Sequence, residues 1–179
     1  MSTTDINRIA TRPLAEYAYG LKEKYDQTFG LRKKTFMQLF DMGEIQLSSV
    51  YENLLVATRN AHHRPTEKVS VDKYDVVRVD SMGRRTPLGD MKTTTLQKNG
   101  DKRRFVVSNV KNKIGKIYVI GWNTMTNEPN FFCLPPDEIQ GTHPHAGYKI
   151  PVNPKTGKRT KGWYNDNYAY DTWEEMCLA

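Results

Sequence analysis

The length, composition and charge of this chain exclude several classes of protein. Its 179 residues, 37% of them hydrophobic, suffice for one domain with a core that needs neither disulfides nor a structural metal. No apolar run is long enough to span a bilayer, and the first ten residues lack the layout of a signal peptide, so we expect a cytoplasmic protein. In that compartment Cys133 and Cys177 are expected to be free thiols.

The net charge of +7 favours a polyanionic partner. Lysine and arginine side chains that neutralise phosphates release condensed counterions, and this release drives binding to nucleic acids. Many basic proteins have no such partner, so the charge by itself does not establish one.

Three helices are predicted in the first part of the chain. The first ten residues are polar and are expected to be irregular, whereas Pro13 suits a first helical position and apolar residues recur at helical spacing as far as Gln27. A short second helix is predicted at Lys33–Asp41. The third helix is expected to start at the capping box Ser49–Glu52 and to continue to Ala61.

Strands are predicted after the helices, because the apolar period changes to two from Val69 onward. The candidates are the hairpin Tyr74–Thr95 and the strands Arg104–Val107, Lys116–Trp122 and Asn130–Leu134. The turn-rich stretch Asn123–Pro129 should join the last two strands as neighbours.

This order of elements predicts an α+β fold in a single domain over residues 1–179. We expect a helical part over residues 1–65, a sheet core over residues 69–140, and a basic and aromatic C-terminal segment over residues 141–179. Within that last segment only Asp171–Leu178 has a helical pattern, with Asp171 as a possible cap.

The hairpin carries the residues with chemical potential, in the sequence YDVVRVDSMGRRTPLGDMKTTT. If Met82 and Gly83 form a two-residue turn, Asp75 lies opposite Asp90, and Lys92 lies on the same face of the sheet. Two opposed carboxylates repel each other unless a cation lies between them, and Mg²⁺ prefers oxygen ligands while keeping several waters. The register therefore predicts a metal site formed by Asp75 and Asp90, with Lys92 placed to orient a water or stabilise transition-state charge.

The chain contains one acid-x-Lys triplet, which is no more than its composition would produce by chance. The evidence for an active site therefore lies in the position of this triplet on the predicted hairpin. These residues resemble the PD-(D/E)xK nucleases, which include many type II restriction endonucleases. In that family an aspartate opens one strand, a turn follows, and acid-x-Lys lies on the next strand. Here Asp75, the turn at Gly83 and Asp90-Met91-Lys92 match that pattern, while Tyr74 stands where the family name has proline.

The resemblance covers about Glu52 to Leu134 as architecture and implies a restriction-endonuclease-like core, a central mixed sheet flanked by helices. It also implies hydrolysis of phosphodiester bonds in double-stranded DNA with Mg²⁺, for which Mn²⁺ substitutes, by a homodimer when the target is palindromic. Asp75, Asp90 and Lys92 would be the catalytic residues, with both aspartates as metal ligands.

Two acids leave alternatives open. Many members of the family place a glutamate on the helix before the hairpin, and Glu52 matches by position; as part of a capping box it would have a purely structural role. Asp80 is a second candidate for the first aspartate of the motif, but in the register above it lies near the turn.

Basic residues outside the hairpin strands are candidates for DNA contacts, although solvated loops are the plainer interpretation. They are Arg84 and Arg85 at the hairpin turn and Lys155, Lys158, Arg159 and Lys161 among the C-terminal aromatics. Lys111, Lys113 and Lys116 are further candidates for which the pattern fixes no direction. The competing functions are a structure-selective or homing nuclease, and a basic nucleic-acid-binding protein without catalysis.

Overall fold

The computed structural model of the chain describes residues 3–25, 31–110, 113–135 and 148–179. The helices are α1 Thr3–Tyr25, α2 Lys33–Asp41, α3 Leu47–Ala61, α4 Trp163–Asn167 and α5 Trp173–Leu178. The strands are β1 Thr66–Val71, β2 Tyr74–Val79, β3 Arg85–Thr95, β4 Gln97–Asn99, β5 Lys102–Val107, β6 Lys116–Asn123, β7 Glu128–Leu134, β8 Tyr148–Val152 and β9 Ala169–Tyr170. Within these ranges no helix combines the length and apolar character needed to cross a membrane.

The strands form two sheets. The central sheet has the order β1-β2-β3-β6-β7-β9; β3 and β6 run parallel, and its other neighbours run antiparallel. The second sheet is antiparallel with the order β4-β5-β8. The fold is therefore α+β, as the order of the predicted elements indicates. Its central sheet is mixed and flanked by helices, as the resemblance implies, with the helices on one face and the second sheet on the other.

Apolar side chains on both faces of the central sheet are buried. On one face α1, α3 and α5 pack around a core that includes Tyr51, Met91 and Trp173. On the other face the second sheet contributes Phe105 and Ile150 to a separate core. The central sheet thus lies between a layer of helices and a layer of strands, and burial of apolar surface on both sides is what stabilises it.

The helix predictions were only partly correct. The bounds of α2 are confirmed, but α1 begins at Thr3, so Pro13 lies inside it, and the predicted end at Gln27 falls outside the described residues. Tertiary contacts account for the longer helix, because Arg8 donates a hydrogen bond to the Asp41 carbonyl and Arg12 forms an ion pair with the Asp41 carboxylate.

The predicted capping box at Ser49–Glu52 is wrong. Helix α3 begins at Leu47 with Gln46 as its N-cap, so Ser49 and Glu52 lie inside the helix. The Ser49 hydroxyl accepts a hydrogen bond from Lys68 Nζ at 2.9 Å, and the Glu52 carboxylate pairs with the same ammonium group. Glu52 is therefore not held by a backbone N–H at the start of the helix.

Strands β5, β6 and β7 lie within two residues of their predicted bounds, and the expected pairing of β6 with β7 is confirmed. The prediction missed β1, β4, β8 and β9, and α5 is capped by Thr172 rather than by Asp171. Strand β8 pairs with β5 and β9 pairs with β7, so the C-terminal segment contributes to both sheets. The pairings of β8 and β9 join distant segments of the chain, and no local pattern encodes them.

The hairpin turn differs from the prediction by one residue. Asp80 N donates to Arg84 O at 3.0 Å, so the loop has three residues that end at Gly83 with φ +77°, and the predicted two-residue turn is wrong. The ladder next to the turn is shifted accordingly, but a bulge follows and Val76 lies opposite Gly89. The bulge compensates the longer turn, so Asp75 and Asp90 are neighbours across the strands as expected.

Close contact between backbones fixes the place where β3 leaves β2 and joins β6. A Cβ atom at Gly115 would lie 2.4 Å from Leu88 O, and one at Gly89 would lie 2.0 Å from Lys116 O. Both glycines also have positive φ, at +87° and +157°. A residue with a side chain at either position would push β3 away from β6.

We predict that Gly115→Ala destabilises the protein more than Gly100→Ala. Both glycines have positive φ, which costs an alanine roughly 1–2 kcal/mol, but Gly100 has no heavy atom within 4 Å of the added Cβ. Overpacking at Gly115 should add about 1–3 kcal/mol to the loss. Urea unfolding of the two variants measures the difference, and equal losses would contradict the close packing of Gly115 against Leu88.

Candidate active site

Two aspartates meet on neighbouring strands of the central sheet. Asp75 is the second residue of β2, and Asp90 is in β3 where that strand joins β6, opposite Ile117. Asp90 has no exposed surface, and its Oδ1 accepts a hydrogen bond from Met91 N at 3.1 Å. Met91 points into the helical core, so Asp90 and Lys92 share the opposite face of β3.

Two ammonium groups lie against the same oxygen of Asp90. The Nζ atoms of Lys92 and Lys113 are each 3.0 Å from Asp90 Oδ2. This oxygen is buried, and the two ammonium groups form ion pairs with it that stabilise its negative charge. Lys113 Nζ also donates to the Asp72 carbonyl at 2.9 Å, in the turn between β1 and β2.

The two aspartates have opposite pKa shifts. Burial, the hydrogen bond with Asp90 and the charges of Asp90 and Glu52 raise the pKa of Asp75 to about 7. Burial also acts to raise the pKa of Asp90, but the contact with Asp75 and the charge of Lys92 outweigh it and lower that pKa. Below about pH 7 Asp75 therefore holds a proton while Asp90 is ionised, and at higher pH both carboxylates are charged.

A third acid reaches the pair from helix α3. The Glu52 side chain is 14% exposed, and its Oε2 lies 3.0 Å from Lys68 Nζ. Its charge contributes to the raised pKa of Asp75, so the two acids are electrostatically coupled. The structure thus brings Glu52, Asp75, Asp90 and Lys92 together, as the hairpin pattern and helix position predict.

Two adjoining cavities open on Glu52 and Asp75, and Ser48 also lines both, whereas the buried Asp90 lines neither. The smaller, of about 310 Å³, extends along residues 106–109 and contains Lys92. The larger, of about 500 Å³, extends along residues 68–72 and contains Lys113. Glu52 and Asp75 therefore lie at the boundary between the two cavities. Each cavity is lined by one of the two lysines that contact Asp90.

The donor atoms fit a hard divalent cation. Among the described residues, no three His, Cys, Asp or Glu side chains are close enough to enclose a metal ion. Mg²⁺, however, is commonly bound by one or two carboxylates and completes its shell with water. The neighbouring carboxylates of Asp75 and Asp90 provide oxygen ligands suited to that mode of binding.

The hairpin-turn residues lie away from this site. Asp80 accepts hydrogen bonds from Met82 N and Arg84 N, both at 2.9 Å, and so stabilises the turn. Arg84 is paired with Asp80 at 2.6 Å, and Arg85 with Glu67 at 2.8 Å. Asp80 is therefore placed as a turn residue and not as a partner of Asp90.

The C-terminal basic residues Lys155, Lys158, Arg159 and Lys161 are exposed and line neither cavity. Their loop is tied to the far end of β6, where Asn123 Nδ2 donates to Gly157 O at 2.8 Å. Asp90 lies opposite Ile117, six residues earlier on β6, or about 20 Å away at roughly 3.3 Å per residue. A DNA contact by these residues would be remote from the acids.

Lys68 and Lys113 are site residues that no pattern in the sequence predicts. Lys113 was one of three basic residues without a fixed direction, and Lys111 of that group falls outside the described residues. The contact of Lys113 depends on the hydrogen bond from Ile114 N to Lys73 O, which joins segments 41 residues apart. No local pattern encodes such a pairing.

Comparison of the chain with protein-family models, with curated proteins and with solved structures found no match. The function is therefore argued from the geometry and chemistry of the site.

We predict that Asp75→Asn stabilises the metal-free protein at pH 8. Because the pKa of Asp75 is raised from 3.8 to about 7, the stability that this group contributes is present at low pH and is lost as the pH rises between those values. The variant should also lose less stability than the wild type between pH 4 and pH 8. Urea unfolding in the presence of a chelator measures both effects.

Asp80→Asn is the control for that prediction. Hydrogen bonds from Arg84 lower the pKa of Asp80, so its contribution is present above the ordinary carboxyl pKa and is lost on acidification. This variant should be less stable than the wild type at pH 8. A destabilised Asp75→Asn at pH 8 would contradict the repulsion inferred between Asp75 and Asp90.

Proposed function

We propose that this chain is a Mg²⁺-dependent endonuclease that hydrolyses phosphodiester bonds in duplex DNA, a nuclease of the PD-(D/E)xK type. The observation that carries the proposal is the convergence of four residues: Glu52 and Asp75 line a pair of cavities, and the buried Asp90 contacts Asp75 and Lys92 behind them. These residues come from α3, β2 and β3, which is the arrangement that the hairpin resemblance implies. The net charge of +7 suits a polyanionic substrate.

Asp75 and Asp90 would hold the ion, with Glu52 beside them. When bound, Mg²⁺ supplies a Lewis acid for a phosphoryl oxygen and lowers the pKa of a coordinated water. Burial of Asp90 keeps its carboxylate in one orientation and excludes bulk water from one side of the site. Lys92, fixed at 3.0 Å from Asp90 and 23% exposed in the smaller cavity, is placed to orient the attacking water or to stabilise phosphoryl charge.

The narrower assignment is a site-specific restriction enzyme that acts as a homodimer on duplex DNA. It is supported by the resemblance of Asp75 and Asp90-Met91-Lys92 to the type II enzymes. A restriction enzyme yields discrete fragments from a large DNA, whereas a structure-selective nuclease cuts branched substrates in preference to linear duplexes. Digestion of a viral genome and of a four-way junction distinguishes these two outcomes.

The wild type should cleave plasmid DNA with Mg²⁺ and should leave it intact in a chelator. We expect Asp90→Asn and Lys92→Met each to reduce the cleavage rate roughly a hundredfold or more, since each removes a charge from the reacting centre. Lys98→Met, an exposed lysine on β4, is the matched control and should cleave normally. Full activity of Lys92→Met beside an active wild type would show that the site is elsewhere.

Metal binding can be tested without any substrate. A ligand at a hundred times its dissociation constant stabilises a protein by about 2.7 kcal/mol, so Mg²⁺ should raise the thermal midpoint of the wild type. Asp75→Asn and Asp90→Asn should abolish this rise, and Asp80→Asn should retain it. An equal rise in all four proteins would mean that the ion binds outside the aspartate pair.

A further inference from the structure

Two contacts hold the Lys113 ammonium group in place, one with Asp90 and one with the turn between β1 and β2. Its Nζ is 3.0 Å from Asp90 Oδ2 and donates to the Asp72 carbonyl at 2.9 Å. The next residue is also tied to that turn, since Ile114 N donates to Lys73 O at 3.0 Å. The Lys113 side chain is only 16% exposed, and lysine is rarely buried to this extent unless its ammonium group is paired.

Lys113 and Lys92 lie on different sides of the acids. Both Nζ atoms contact one carboxylate oxygen at 3.0 Å, so the distance between them cannot exceed twice that value. Lys92 lines the smaller cavity and Lys113 lines the larger, with Glu52 and Asp75 at their common boundary. A phosphodiester bound beside Glu52 and Asp75 would therefore have Lys92 on the side of the smaller cavity and Lys113 on the side of the larger one.

Positive charge on both sides of the phosphorus stabilises the transition state of in-line displacement. Nucleases with two metal ions, roughly 3.5–4 Å apart, place one ion near the attacking oxygen and the other near the leaving oxygen. Here Asp75 and Asp90 provide ligands for one ion, and the described residues include no larger cluster of acids that would hold another. The Lys113 ammonium group is a second fixed cation beside Asp90, on the side of the acids away from Lys92.

We propose that Lys113 is a second catalytic lysine, which donates a hydrogen bond to the leaving oxygen of the scissile phosphate. This inference rests on the proposed nuclease function. Water attacks phosphorus and releases one proton to solvent, while the bond from phosphorus to the leaving oxygen breaks with its electron pair on that oxygen. Lys113 retains its protons and stabilises the developing charge until the oxygen takes one proton from solvent.

A substrate with sulfur in place of the leaving oxygen tests this role. A thiol has a pKa near 8.5, far below that of an alcohol, so a thiolate leaves with little stabilisation. Duplexes that contain the mapped cleavage site would carry oxygen, a 3′-bridging sulfur or a 5′-bridging sulfur. Single-turnover cleavage is then measured for the wild type, Lys113→Met, Lys92→Met and the control Lys98→Met.

We expect Lys113→Met to lose roughly a hundredfold in rate on the oxygen substrate and less than about threefold on one of the two sulfur substrates. Lys92→Met should lose activity on both oxygen and sulfur substrates, because it acts away from the leaving oxygen. Duplex affinity, measured by fluorescence anisotropy in metal-free buffer, should change less than about threefold for Lys113→Met, since the contact forms in the transition state.

Equal losses by Lys113→Met on oxygen and sulfur, or a loss of duplex affinity that accounts for the slower rate, would overturn the proposal. If circular dichroism shows that Lys113→Met is unfolded, Lys113→Arg replaces it, and its defect on oxygen should likewise disappear with sulfur. A wild type that cuts none of the substrates would overturn the nuclease function as well. Cleavage by the wild type without sulfur rescue would overturn the role of Lys113 alone.

Discussion

The buried carboxylate of Asp90 is the group on which the candidate site depends. Removing a carboxylate from water costs several kcal/mol, and the protein offsets that cost with two ammonium groups on one oxygen and a backbone N–H on the other. While it is protonated, Asp75 also stabilises this carboxylate, but once ionised it places a like charge beside Asp90. Buried ion pairs of this kind contribute little to stability compared with well-packed apolar residues, so the cluster is better explained by function than by stability.

The position of Asp90 follows from the way in which β3 changes partners. The strand pairs antiparallel with β2 over its first half and parallel with β6 over its second half. The bulge at this change restores the register that the three-residue turn disturbs, and Gly89 and Gly115 allow the backbones to meet. Turn, bulge and glycines together place Asp75 beside Asp90, and α3 then adds Glu52.

The sequence was most informative where the signal is local. The alternation of side chains along a strand puts Asp90 and Lys92 on one face whatever the turn does, so that part of the site could be read from the hairpin. A two-residue turn predicts that Asp75 lies opposite Asp90. The turn has three residues, but the bulge restores the register, so the two aspartates are neighbours as predicted. Glu52 was placed by its position on the helix before the hairpin.

Long-range features could not be predicted in this way. Strands β8 and β9 exist because β5 and β7 pair with them, and helix α1 is extended by the contacts of Arg8 and Arg12 with Asp41. The basic residues that reach the acids, Lys68 and Lys113, belong to segments whose paths are set by tertiary packing. The basic C-terminal residues, chosen from composition, lie at the other end of β6.

The central claim is that the pair of acids at the start of β2 and in β3 is a metal-dependent catalytic centre. The most direct test measures the single-turnover rate at which Asp75→Asn and Asp80→Asn cleave a duplex with Mg²⁺. The two substitutions are chemically identical, but Asp75 lies in β2 and Asp80 in the turn that follows it. Loss of cleavage in Asp75→Asn with near-normal cleavage in Asp80→Asn is the predicted result. Cleavage by Asp75→Asn at the rate of the wild type would contradict the account.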